Sequence, residues 1–142
     1  MNIQGLQGMY AEAERFVAED LSRVRATATV VALSGDLGAG KTSFAQGVAR
    51  ALGVGEDVTS PTFVIEKIYT LTGQVFARLI HIDAYRLTQS QELKVLGWDE
   101  ICRDPSNLIV IEWPEHVADS IPSDAIKITL TGSGDERVIT YN

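Results

Sequence analysis

One stretch of eight residues constrains this chain more than any other feature of its sequence. Residues Gly35 to Thr42 read Gly-Asp-Leu-Gly-Ala-Gly-Lys-Thr and match the pattern G-x₄-G-K-[ST] at every fixed position. A short β-branched segment, Ala28 to Leu33, precedes them, and a segment with helical periodicity, Thr42 to Leu52, follows and ends at Gly53. In a strand–turn–helix of this kind the N–H groups of the turn point inward at the N-terminal end of the helix, where they bind phosphate. The sequence therefore predicts an α/β fold with a phosphate-binding P-loop.

The remainder of the chain alternates between strand and helix patterns. Alternation of this kind predicts a P-loop NTPase-like three-layer α/β sandwich around a mixed, largely parallel sheet. We expect the 142 residues to form a single domain, residues 1–142. The predicted elements are a helix over Met9–Val24, strands over Thr62–Tyr69 and Val75–Ile82 joined by a turn at Thr72-Gly73, a helix over Gln89–Leu96, a strand over Leu108–Ile111, and a closing hairpin of Ile126–Leu130 with Val138–Tyr141.

Composition limits the partners and the compartment that this chain can have. Its net charge is −7 and its 12 lysines and arginines are scattered, whereas a protein that grips nucleic acid by itself usually has a basic face. Any role near RNA is therefore expected to be indirect, through a protein partner. The single cysteine, Cys102, fits a reducing compartment, and no apolar run approaches the ~20 residues that cross a bilayer. We expect a soluble, cytoplasmic protein that does not contact a membrane.

The P-loop residues have separate expected roles. Lys41, which the pattern suggests is an exposed loop lysine, is expected to reach the β- and γ-phosphates, and the Thr42 hydroxyl is expected to ligate Mg²⁺. The residues predicted to surround the nucleotide phosphates are Asp36, Leu37, Gly38, Ala39, Gly40, Lys41, Thr42 and Ser43.

The base is expected to be adenine. GTPases that read guanine normally carry an Asn-Lys-x-Asp element on a later strand. None of the three asparagines here, Asn2, Asn107 and Asn142, is followed by lysine. ATP with Mg²⁺ is therefore the expected ligand.

Two acids follow buried strands and are candidates for the second anchor of the metal. Asp83 comes directly after Leu79–Ile82, and Glu112 comes directly after Leu108–Ile111. Ligands collect at the carboxyl ends of strands in open α/β sheets, so both acids are expected in the site. The residues alone leave open which acid touches the metal and which orients water.

Several other residues allow two interpretations each. The segment Ser60–Phe63 is either a switch that senses triphosphate through Thr62 or a proline-containing turn that opens a strand. Arg86 is either a charge for the phosphates or a solvated arginine. The aromatic Trp113 is interpreted as a core or partner-facing side chain, and His81 and His116 as structural or surface residues, since no spacing pairs them.

The later motifs, taken together with the P-loop, resemble one known family. In order along the chain they are Ser60-Pro61-Thr62-Phe63, His81-Ile82-Asp83-Ala84-Tyr85-Arg86-Leu87, Glu92-Leu93 before Leu96-Gly97, and Ile111-Glu112-Trp113-Pro114. This series closely resembles the TsaE family, also called YjeE, over roughly Ala11 to Tyr141. The P-loop alone would not be specific, but these spacings are.

The resemblance implies an ATPase subunit of the bacterial machinery that makes threonylcarbamoyladenosine in tRNAs reading codons that begin with adenine. It implies Mg-ATP as ligand and homologues of TsaD and TsaB as partners. It further implies that Lys41 holds phosphate, that Thr42 and Glu112 serve Mg²⁺, that Asp83 takes part in hydrolysis, and that Thr62 belongs to a switch-like segment. Adenine contacts would come partly from the N-terminal segment. The alternatives are a small-molecule kinase, which usually needs an arginine-rich lid that is not seen after Leu87, and a non-hydrolysing nucleotide-dependent scaffold.

Overall fold

The computed structural model of the chain describes residues 1–55 and 66–142. The segment Ser60–Phe63, including Thr62, lies outside these residues. The helices and strands are β1 (Asn2–Gln4), α1 (Gly5–Asp20), β2 (Thr29–Ser34), α2 (Lys41–Ala51), β3 (Glu66–Thr70), β4 (Arg78–Asp83), α3 (Gln91–Lys94), α4 (Trp98–Arg103), β5 (Asn107–Glu112), a 3₁₀ segment (Pro114–Ser120), β6 (Ile126–Ser133) and β7 (Glu136–Tyr141).

The strands of the described residues form one sheet in the order β1-β7-β6-β2-β5-β4-β3. The four central strands, β6, β2, β5 and β4, are parallel to one another. The outer pairs, β1 with β7, β7 with β6, and β3 with β4, are antiparallel. The predicted α/β fold with a mixed sheet is confirmed, and parallel pairing is confined to its centre. The carboxyl ends of β2, β4 and β5 therefore meet at one edge.

Two apolar layers enclose the sheet because successive side chains of a strand point to opposite faces. In β2, Val31 and Leu33 face the layer formed by α1 and α2, where Phe16 and Phe44 are fully buried. Val30 and Ala32 face the opposite layer, which contains α3, α4 and the 3₁₀ segment. The predicted three-layer arrangement is thus observed. In the described part of the chain no helix has both the length and the apolar character needed to cross a membrane.

Some element boundaries differ from those expected from the pattern. Helix α1 begins at Gly5 and ends at Asp20, whereas the periodicity predicted Met9–Val24. The sequence did not predict β1, because three residues are too few to show a period of two. The predicted strand Thr62–Tyr69 overlaps the described residues from Glu66 onward, where β3 runs from Glu66 to Thr70.

The predicted helix Gln89–Leu96 is also shorter, and a second helix follows it. Gly97 adopts a left-handed conformation with φ of 78°, which ends the first helical turn and lets α4 begin at Trp98 in a new direction. The indole Nε1 of Trp98 donates to the Ser120 carbonyl at 3.0 Å, which ties α4 to the 3₁₀ segment. The pattern showed where Gly97 interrupts the helix but did not predict α4.

Helices α1 and α2 pack closely at Gly47, and this contact yields a prediction about stability. A Cβ at Gly47 would lie 2.7 Å from the Ala13 Cβ and 3.0 Å from the Tyr10 Cδ1. Overpacking costs about 1–3 kcal/mol, whereas alanine gains only ~1 kcal/mol over glycine in helix propensity. We expect Gly47→Ala to lower the free energy of unfolding, by about 1 kcal/mol, in urea denaturation.

The matched control for that prediction is Gly8→Ala in α1. A Cβ there would meet only Ile3, with the nearest atom, Cγ2, at an ordinary 3.4 Å, so the propensity gain of roughly 0.5–1 kcal/mol should be seen. Equal stabilisation by the two substitutions would contradict the close helix contact at Gly47.

Candidate functional site

The glycine-rich turn connects β2 to α2 as the motif requires. Gly40 precedes the first residue of α2 with φ of 105°, a left-handed conformation that side chains disfavour. A Cβ at Gly40 would also lie 3.1 Å from the Met9 Cε of α1. The Phe44 N–H donates to the Gly40 carbonyl at 2.9 Å, which starts the helical hydrogen bonding. The N-terminal end of an 11-residue helix is therefore presented at this turn.

A cavity of about 320 Å³ opens between this turn and the carboxyl ends of β4 and β5. Two of the residues predicted to surround the phosphates do not line the cavity. Asp36 is exposed, and the Ala39 side chain is buried. The other six line it. The full lining is Leu37, Gly38, Gly40, Lys41, Thr42, Ser43, Asp83, Tyr85, Glu112, Trp113 and Arg137.

Lys41 is buried rather than exposed, which corrects the expectation of an exposed loop lysine. Its Nζ donates to the carbonyls of Gly35 and Asp36, the latter at 3.0 Å, and lies 4.0 Å from the centre of the Trp113 ring. Burial lowers the pKa of the Lys41 ammonium below its ordinary value of 10.5, while the nearby Glu112 carboxylate opposes that shift. The ammonium is thus positioned inside the loop by backbone carbonyls and an aromatic face.

The two acids occupy equivalent places on neighbouring strands. Asp83 and Glu112 are register partners in the parallel pair β4–β5, and both are buried. The Thr42 hydroxyl donates to the Glu112 Oε1 at 3.2 Å, and the Asp83 Oδ1 accepts from the Tyr85 N–H at 2.9 Å. The structure therefore joins Thr42 directly to Glu112, with Asp83 in the wall of the same cavity.

His81 was interpreted as structural or surface, but it contacts the site. Its Nε2 lies 2.6 Å from the Glu112 Oε2, and both side chains are buried. His81 stands two residues before Asp83 on β4, so the two side chains share one face of the sheet. The two-residue spacing between His81 and Asp83 is the sequence signal that could have placed His81 at the site.

Thr42 and Glu112 offer two oxygen donors to a metal ion. Among residues 1–55 and 66–142, no group of three or more His, Cys, Asp or Glu side chains is placed to hold an ion. Mg²⁺ does not need such a group, because it usually binds one or two protein oxygens and takes its other ligands from water and phosphate. One hydroxyl and one carboxylate at the N-terminal end of α2 fit Mg²⁺ and do not fit a metal held by protein alone.

Arg137 is a site residue that the sequence did not predict. Its Nη2 donates to the Gly38 carbonyl at 3.1 Å, and its Nη1 donates to the Gly134 carbonyl of the β6–β7 turn. Arg86 was the predicted candidate, but it is exposed and is not among the described residues that line the cavity. Arg137 comes from β7, almost a hundred residues beyond the P-loop, and no motif marks it.

Two aromatic rings, Tyr85 and Trp113, line the cavity, and the His116 ring stacks on Trp113. The Trp113 ring centre lies 5.1 Å from that of Tyr85 and 5.4 Å from that of His116. His116 is fixed there by a 3.0 Å hydrogen bond between its Nδ1 and the Ala84 carbonyl. Trp113 has φ of 59°, an uncommon conformation for a non-glycine residue. Trp113 therefore lines the site and also packs against the core on the side of α3, α4 and the 3₁₀ segment.

A second cavity of about 180 Å³ adjoins the first on the side of α1. Gly40, Ser43 and Arg137 line both cavities. The second is completed by the first turns of α1 and by the β6–β7 turn, with the residues Gly5, Leu6, Met9, Gly134 and Asp135.

The fold and the site define an α/β protein with a strand–turn–helix of the P-loop type and two buried acids at the ends of adjacent parallel strands. A family model described as "Threonylcarbamoyl adenosine biosynthesis protein TsaE" matches residues 10–139. The chain belongs to the TsaE family.

Individual relatives agree with this membership. The chain is 38% identical over 114 residues to the tRNA threonylcarbamoyladenosine biosynthesis protein TsaE of Borreliella burgdorferi, covering 80% of each chain. It is 38% identical over 113 residues to the TsaE protein of Bacillus subtilis, covering 79% of this chain and 68% of that one. The crystal structure of Bacillus subtilis YdiB superposes with a TM-score of 0.75 at 30% identity, over 99% of this chain and 82% of that one.

Proposed function

We propose that this chain is an ATP-binding and ATP-hydrolysing subunit that acts in the formation of threonylcarbamoyladenosine in tRNA. Membership of the TsaE family supports the pathway, since several relatives carry that name. The observation that carries the chemistry is the 3.2 Å bond between the Thr42 hydroxyl and the Glu112 carboxylate, beside Lys41 at the N-terminal end of α2. In P-loop enzymes a Ser/Thr hydroxyl and an acid on a neighbouring strand share one metal ion.

Four side chains of the cavity have distinct tasks in this proposal. Thr42 and Glu112 would hold Mg²⁺, which when bound neutralises charge on the β- and γ-phosphates. The Lys41 ammonium exchanges its two carbonyl partners for phosphate oxygens, and the N-terminal N–H groups of α2 bind the phosphate chain. Asp83, buried in the same wall, orients the attacking water.

The second cavity is where we place the base and ribose. It continues from the phosphate cavity at Gly40 and Ser43 and is closed by the first turns of α1. The Leu6 and Met9 side chains offer apolar surface for a purine ring. This placement agrees with the expectation that adenine contacts come partly from the N-terminal segment.

Substitution of the two acids tests the assignment and is expected to separate their roles. Glu112→Ala should remove the increase in nucleotide affinity that Mg²⁺ produces, because Thr42 alone is too weak an anchor. Asp83→Ala should retain Mg-ATP binding and lose turnover, since it would act only on the attacking water. Calorimetry with and without Mg²⁺, together with phosphate release, measures both effects.

Glu100→Ala, an exposed acid on α4, is the matched control and should change neither quantity. Reversed results for Asp83 and Glu112 would exchange their roles. Wild-type binding without any phosphate release, alone or with partners, would instead favour the scaffold interpretation.

Arg137→Ala is expected to weaken ATP binding by up to about tenfold. The guanidinium lies at the junction of the two cavities, where it can reach the phosphates from the Gly38 side, but it is only half-buried and is screened by solvent. Arg137→Lys should retain part of the affinity. Unchanged affinity for Arg137→Ala in calorimetry would show that the side chain serves the β6–β7 turn alone.

The proposed partners are homologues of TsaD and TsaB, with tRNA contacted only through them. The net charge of −7 argues against independent tRNA binding by this chain. A cytoplasmic location follows from the proposed role, since tRNA is modified there.

A further inference from the structure

His81 and Glu112 form a buried pair whose geometry points to a further role at the site. We propose that His81 is a positioning residue that holds the Glu112 carboxylate in the orientation required for Mg²⁺. This inference rests on the proposed Mg-nucleotide site and concerns a residue that belongs to neither the P-loop nor the acids at the strand ends.

The two oxygens of Glu112 have different partners. Oε1 accepts from the Thr42 hydroxyl at 3.2 Å, and Oε2 accepts from the His81 Nε2–H at 2.6 Å. A hydrogen bond at each oxygen fixes the plane of the carboxylate, which is otherwise free to rotate about its last bond. Oε1 is thereby directed at the hydroxyl that would share the metal ion.

His81 is placed for this task by the sheet register. It pairs with Val110 on β5, two residues before Glu112 and on the same face of the sheet, so its ring reaches along the strand to the carboxylate. The first residue of the same face of β4 is apolar Leu79, which shows that this layer does not require a polar side chain.

Because His81 is buried, its hydrogen bond to Glu112 is what accounts for a polar side chain at this position. His81 is 1% exposed, and among the described residues its Nδ1 has no hydrogen-bond partner. A buried imidazole with one nitrogen unsatisfied is less favourable than an apolar residue of similar size. The histidine is therefore best explained by what it does to Glu112.

Removal of the His81 N–H donor is therefore expected to lower metal affinity specifically. Partners that orient metal ligands typically change metal affinity by about 10- to 100-fold. His81 is not among the described residues that line either cavity, so nucleotide binding without metal should not depend on it. A merely structural histidine would affect both measurements through stability.

The test compares two substitutions of nearly equal size. His81→Gln keeps an N–H donor at a reach similar to that of the imidazole Nε2, whereas His81→Met fills the same space without a donor. Mn²⁺ serves as the probe, and its dissociation constant is measured by electron paramagnetic resonance with ADP present. ADP affinity in EDTA is measured in parallel by calorimetry.

We expect His81→Met to raise the Mn²⁺ dissociation constant about 10- to 100-fold and His81→Gln to restore it to within a few-fold of wild type. ADP affinity in EDTA should be unchanged in both. In a Glu112→Gln background, His81→Met should add no further loss, because His81 acts through Glu112. If His81→Met does not fold, His81→Asn, whose amide is too short to reach Glu112, must show the same loss.

Two results would overturn the positioning role. One is wild-type Mn²⁺ affinity in a folded donor-free variant, and the other is an equal loss in the Gln and Met variants. Failure of the wild-type protein to bind Mn²⁺ with ADP at all would instead reject the proposed nucleotide site, so the two failures are distinguishable.

Discussion

Replacement of Lys41 by alanine is expected to weaken ATP binding about 10- to 150-fold. A hydrogen bond to a charged group contributes roughly 1.5–3 kcal/mol, which corresponds to that range of dissociation constants. The Nζ is already held inside the loop by the carbonyls of Gly35 and Asp36, so little ordering is needed before it binds phosphate. Calorimetric titration of the variant with Mg-ATP measures the loss.

Burial of Lys41 adds a second effect that needs a control. The ammonium bonds to two loop carbonyls, so alanine also removes contacts that shape the loop. Lys41→Gln retains an N–H donor and most of the length but lacks the charge, and its affinity should fall between those of wild type and alanine. Lys94→Ala, an exposed lysine on α3, should bind as wild type does. Unchanged ATP affinity in a folded Lys41→Ala variant would show that this loop does not bind the phosphates of ATP.

The sequence predicted the parts of the site that depend on local patterns. The P-loop could be recognised because eight neighbouring residues, a strand before them and a helix after them carry the signal together. Asp83 and Glu112 could be placed in one site because each ends an apolar run, and parallel strands bring their carboxyl ends to one edge. Asp83 and Glu112 are register partners at that edge, while their functional roles stay predictions.

The parts that depend on long-range packing could not be predicted. Arg137 reaches the loop only because β7 pairs with β6 and the β6–β7 turn folds toward Gly38. The burial of Lys41 involves a contact between its ammonium and Trp113, a residue that follows the distant strand β5. The bond between His81 and Glu112 requires the register between β4 and β5, which no single segment encodes.

The contacts of Lys41 also bear on the charge that the site offers to a phosphate. Its Nζ is satisfied by loop carbonyls and the Trp113 face, and the described cavity lining carries two cationic side chains, Lys41 and Arg137, against the acids Asp83 and Glu112. Arg137 lines both cavities and therefore lies where they join. The two acids balance the two cations, so the lining offers little net positive charge to a γ-phosphate in the transition state.

Hydrolysis of ATP is accordingly expected to be slow for this chain alone and much faster when TsaD and TsaB homologues are bound. Phosphoryl transfer is accelerated mainly by positioning and by charge on the transferred group, and an arginine supplied by a partner contributes roughly 10³–10⁵ in rate in GTPase systems. A partner that docks at the cavity mouth would contact exposed Leu37 and Tyr85, beside Trp113, and could release Lys41 from its ring as well as add charge. Steady-state phosphate release is measured for the chain alone, with each partner and with both, and Asp83→Ala with both partners gives the background. A fast rate for the chain alone that both partners leave unchanged would show that the residues of this chain complete the site by themselves.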